Sequence, residues 1–215
     1  MSLGASIDGE IARRRLAGTS KLGGRSNDIV ECTRQFFTVD LVRRIARHRR
    51  LSCEAVERGI GLALPALLAA LANLASRPLG AGILACAIAR QYPATLETIR
   101  NGIGSESQDV AAAYGSGYVE YLVGADEFAA VCTDIARVSR LGDQETKLLV
   151  GLVGWILMSQ LRLQQRQQDL SAAGLADLLR CSRAQHHGRH QGECSLEWSK
   201  SERTRPAARS NAGAV

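Results

Sequence analysis

The sequence has 215 residues, 46% of them hydrophobic, 22% charged and only 4% aromatic. That length buries one sizeable core or two small ones, and the composition excludes a chain disordered throughout. With so few aromatic rings the core has to be Leu, Ile, Val and Ala, which suits packed helices better than a sheet sandwich, so the expected class is all-α. The formal charge of +6 is uneven: 12 basic and 7 acidic residues lie in 1–58, 8 and 11 in 59–179, and 7 and 3 in 180–215. Basicity sits at the two ends.

Residues 1–26 mix Gly, Ser and Arg with no helical period and read as a flexible basic arm. From Asn27 and Asp28, "NDIVECTRQFF" sets Ile29, Cys32 and Phe36 at helical spacing. "TVDLVRRIARHRR" then carries Val39, Val42, Ile45 and Ala46 on one stripe and arginines opposite. Ser52 offers an N-cap to a long helix over roughly 53–75, apolar on nearly all sides and therefore central, with a kink or break expected at Pro65. "SRPLGAGILACAIARQY" suggests a helix capped by Ser76 with a proline in its first turn, and "YPATLETIRNGIG" repeats that opening at Pro93 and stops at Gly102 or Gly104. Ser105 and Gln108 have capping-box spacing before a helix over 106–122. Gly124 punctuates, helices over about 125–140 and 143–165 come next, and "LSAAGLADLLR" is a short last one. Beyond Arg180 the apolar period stops, and 181–215 reads as a disordered polar tail. The expected domain therefore spans 27–180.

Sliding the chain by 90 residues sets "IARHRRLSCEAVERGIGLALPALLAAL" (45–71) over "IARVSRLGDQETKLLVGLVGWILMSQL" (135–161), with 9 of 27 positions identical and no gap. In each copy an Ile-Ala-Arg helix end and an Arg-Leu turn lead into a longer apolar helix. The expectation is a duplicated helix-turn-long-helix unit, its two long helices burying each other's apolar faces at small residues such as Gly61, Ala63, Ala66, Gly151 and Gly154.

Two stretches carry a resemblance: "ALPALLAALANLASRPLGAG" (63–82) and "YGSGYVEYLVGADEFAAVCTDIARVSRLGDQETKLLVGLVGWILMSQL" (114–161). The chain from about 39 to 180 resembles the bacterial YidB-like family, a domain of unknown function numbered 937. The resemblance implies a multihelical, duplicated α fold and no assigned catalytic residues.

Chemistry-bearing candidates are few. "CSRAQHHGRHQGEC" (181–194) holds Cys181, His186, His187, His190 and Cys194, donor types that suit Zn²⁺. Its length matches a zinc knuckle, but the inner ligand positions fall on Ala184 and Arg189, and no aliphatics stand nearby to form a small core. The expectation is no metal site and no cofactor, with adventitious ion binding by the tail as the alternative.

"RRIARHRR" (43–50) concentrates Arg43, Arg44, Arg47, Arg49 and Arg50 on a short helix, a ridge able to neutralise phosphates. It lacks interleaved aromatics for base stacking, and the apolar helix after it does not suit a groove. Residues 59–180 contain no histidine, and Gly-x-Ser-x-Gly, phosphate-loop and His-Glu-x-x-His patterns are missing from the sequence. The expected function is non-catalytic: binding an unidentified protein partner or self-association, with non-specific nucleic-acid binding as the alternative. The longest apolar run, Gly59 to Ala72, is shorter than a membrane span, and residues 1–20 lack a secretory apolar stretch. A cytoplasmic location is expected.

Overall fold

Side-chain caps fix where the first helices begin. The structure is a computed structural model describing residues 28–91 and 96–184. Its helices are α1 (Ile29–Phe36), α2 (Val39–Arg49), α3 (Cys53–Ser76), α4 (Gly80–Arg90), α5 (Leu96–Gly102), α6 (Glu106–Val123), α7 (Ala125–Ser139), α8 (Asp143–Gln167) and α9 (172–184). The described residues contain no strand. The fold is all-α, as the composition predicts. Asp28 accepts from the Val30 N–H at 3.0 Å, Thr38 from Leu41 at 3.3 Å and Ser52 from Ala55 at 3.1 Å, each satisfying a donor the helix itself leaves orphaned.

Other boundaries differ from those the sequence predicts. Ser76 does not cap α4; it is the last residue of α3, and its hydroxyl donates to the Ala72 carbonyl at 2.8 Å. The chain then folds back so tightly that a Cβ on Gly80 would lie 1.8 Å from the Leu74 carbonyl oxygen, and α4 starts only there. Leu79, in the turn, has φ 63 and is 85% exposed.

Ser105 and Gln108 do not form a reciprocal box. Ser105 donates to the Gly102 carbonyl at 2.7 Å, while the Gln108 side-chain oxygen accepts from the Gly104 N–H at 2.8 Å. Pro65 does not break α3, which runs continuously past it, and the carbonyl it frees belongs to exposed Gly61. The last helix extends to 184, past the expected tail boundary at 181, because Ser182 is buried and Arg183 donates to Asn73 of α3 at 2.8 Å.

The centre of the molecule also differs from expectation. The long helix α8 is the axis, buried continuously from Leu149 to Leu161, but its most extensive neighbour is α6 rather than α3. Helix α3 packs on α8 as well, at Gly59 against Leu149 and at Leu67 beside Gly154. Of the small residues expected at close contacts, Gly151 and Gly154 hold them, whereas a Cβ on Gly61 would meet nothing within 4 Å.

The two similar segments keep their offset in three dimensions. Helices α2 and α7 end at Arg49 and Ser139, Arg50 and Arg140 are left-handed with φ 55 and 61, and the long helices begin at Cys53 and Asp143.

The helices containing the apolar runs are longer than the runs themselves, 24 and 25 residues, and by length and composition both suffice to cross a membrane. Inside this fold, 78% of the most apolar window of α8 is already buried against protein. That is the environment of a core helix.

Candidate functional site

The arginine ridge on α2 is largely consumed by tertiary contacts. Arg44 donates to the Asn101 carbonyl at 3.2 Å and to the Ile103 carbonyl, satisfying groups at the C-terminal end of α5. Arg49 pairs with Asp109 of α6 at 2.8 Å, and His48 Nε2 lies 3.0 Å from the same carboxylate. Arg43, Arg47 and Arg50 stay exposed, with no ion pair to any described residue. Five candidate phosphate contacts thus become three, Arg43 and Arg47 one turn apart on α2 and Arg50 at its C-cap. The sequence showed the basic residues but not Asp109, which lies about sixty positions away.

The cysteine–histidine stretch is divided. Cys181 sits exposed on α9. His186, His187, His190 and Cys194 lie outside the described residues. Among the described residues, no group of three or more His, Cys, Asp or Glu side chains is placed to hold a metal ion. No disulfide joins the described cysteines. Burial pushes the Cys132 thiol up to about 11, and Glu120 adds to that shift while Lys147 opposes it.

Sequence reasoning missed the outer face of α6. Val110, Tyr114, Gly117 and Tyr121 succeed one another at four, three and four residues and are all exposed, Val110 by 71% and Tyr121 by 80%. The opposite face of the same helix is buried through Ala112, Gly115, Val119 and Leu122. Apolar residues on both sides blur the helical period, so spacing alone does not separate the exposed face from the buried one. A second exposed apolar strip runs from Leu79 in the turn to Ile83 and Cys86 of α4. Tyr118 ties the two helices, its hydroxyl donating to the Ala87 carbonyl at 2.5 Å. Burial, chiefly, raises the Tyr118 phenol above its ordinary value.

Beside the α6 stripe a cavity of about 480 Å³ opens between α5, α6 and α8. Ile99, Ile103, Ala111, Tyr114, Leu152 and Trp155 form much of its wall. The rings of Tyr114 and Trp155 meet edge to face at 4.5 Å, so the rim and the floor are one aromatic unit. Behind Trp155, Gln91 donates to the Ser159 hydroxyl at 3.2 Å and Arg162 donates to the Gln91 carbonyl, which pins the end of α4 onto α8. The Trp155 indole N–H is buried, with no hydrogen-bond partner among the described residues.

No curated protein and no solved structure matches the chain. A family model does, over residues 33–164, which takes in the arginine helix, the α6 stripe, the cavity and most of α8. The chain therefore belongs to the family described as bacterial protein of unknown function (DUF937).

Proposed function

We propose that the chain is a non-catalytic cytoplasmic interaction module that self-associates through the exposed face of α6. The observation that carries this reading is the four-three-four stripe of exposed Val110, Tyr114, Gly117 and Tyr121, the spacing of a helix–helix seam. A Cβ on Gly117 would meet nothing within 4 Å, so an incoming helix can approach closely between the two tyrosines. A second copy running antiparallel about Gly117 sets Tyr114 of each against Tyr121 of the other, an isologous contact. The ninety-residue correspondence of α2–α3 with α7–α8 supports descent from a duplicated unit, each half supplying one long helix to the shared core.

Light scattering on the full chain tests the reading. A dimer is expected, converted to monomer by Tyr121→Glu with unchanged far-UV circular dichroism. A monomeric parent, or a Tyr121→Glu dimer, overturns it.

Nucleic-acid binding is the second reading, favoured by exposed Arg43 and Arg47 on α2 and exposed Arg50 at its C-cap. Three phosphate contacts imply a salt slope for duplex DNA of about −2.7 on a log–log plot. Charge reversal of those three arginines abolishes the gel shift if this reading is right.

A further inference from the structure

We infer that the cavity between α5, α6 and α8 binds a neutral aliphatic chain carrying one hydrogen-bond acceptor such as a carbonyl. Its volume of about 480 Å³ falls within the range of small-molecule sites. Leu152 at 1% exposure and Trp155 at 6% place the wall deep in the core, a depth that suits a chain end rather than the side of a helix. None of the described lining residues is charged. A carboxylate entering here would lose its hydration with no cation in the wall to replace it, which selects against a free acid.

The acceptor requirement comes from Gln108. This side chain lines the cavity and is only 3% exposed. Its oxygen is engaged by the Gly104 N–H at 2.8 Å, which fixes the amide orientation and makes Nε2 the remaining donor. No described residue accepts from that nitrogen. A ligand oxygen that reaches Nε2 supplies the acceptor while its chain covers Ile99, Ile103 and Leu152. The cavity shares Val110 and Tyr114 with the exposed stripe, while Gln108 and Leu152 lie on buried positions of their helices.

The chain has two tryptophans, Trp155 and Trp198, so Trp198→Phe makes the cavity wall the sole indole reporter. Titration of that full-length variant with decanamide is expected to give a saturable change in emission, with decanoate at least about tenfold weaker. Ala111→Phe fills the cavity and removes the response. Gln108→Glu keeps an oxygen for the Gly104 N–H but withdraws the amide donor, and weakens decanamide about tenfold. Decanamide also raises the Tm of the Trp198→Phe chain, a readout that needs no cavity variant to fold. No saturable change and no Tm shift overturns the site. Equal binding of decanamide and decanoate overturns the acceptor assignment, and so does unchanged binding by Gln108→Glu.

Discussion

Gly115 of α6 and Gly151 of α8 bring two backbones into direct contact: a Cβ on Gly115 would lie 2.1 Å from the Gly151 carbonyl oxygen, and one on Gly151 would lie 2.2 Å from the Ala112 oxygen. Backbone cannot rotate away as a side-chain tip can, so Gly115→Ala must push the helices apart along their whole interface. A loss of roughly 1–3 kcal/mol is expected, read as a fall in Tm by circular dichroism. Gly61→Ala is the opposite case, a helical glycine with open space around it, and should gain about 0.5–1 kcal/mol.

The turn at Leu79 stores backbone strain. A branched residue at φ 63 costs roughly 1–2 kcal/mol relative to an unstrained conformation, and its side chain at 85% exposure recovers little by burial. Leu79→Gly should therefore raise the denaturation midpoint, while Leu79→Ala, which keeps a Cβ in the same conformation, should leave it nearly unchanged.

Thiol chemistry should rank the cysteines. Cys53 and Cys86 are exposed, whereas Cys132 is partly buried with its thiol pushed up to about 11. Labelling at pH 8 and then peptide mapping should find Cys53 and Cys86 modified well before Cys132. Between pH values of about 9 and 11 the unfolded chain has lost the Cys132 proton and the folded chain has not. The stabilisation is therefore full below pH 9 and lost as pH rises towards 11. Replacing Cys132 by Ala should flatten the alkaline limb of a Tm–pH curve.

Two truncations test where the folded body ends. Ending the chain after 180 removes buried Ser182 and the Arg183–Asn73 hydrogen bond, and should lower Tm relative to ending it after 184. A chelator should leave the Tm of the full chain unchanged. A fall would restore the metal reading of Cys181, His186, His187, His190 and Cys194.

Much of the helical layout was legible because it is local. Asp28, Thr38 and Ser52 cap the helices that the periodicity of Ile29, Val42 and Ile45 predicts, and Gly124 separates α6 from α7 with φ 102. Ser76 and Ser105 misled because their hydroxyls bond back to carbonyls three or four residues earlier, a choice set by how the turn packs. The cavity and the α6 stripe were hidden for a different reason. Gln108 reads as a capping residue, and Val110 and Tyr114 as members of a helix over 106–122 whose exposed face shows only once its neighbours are known.

The sequence by itself determined the class, the cap at Ser52 and the boundaries of the long helices, since these depend on residues within a few turns of one another. Tertiary structure alone decided that Arg44 and Arg49 serve Ile103 and Asp109 rather than a phosphate, and that α6 rather than α3 is the main neighbour of α8. Those outcomes rest on pairings between distant segments, where close backbone approach at Gly115 and Gly151 selects one arrangement among several that the same hydrophobic pattern allows.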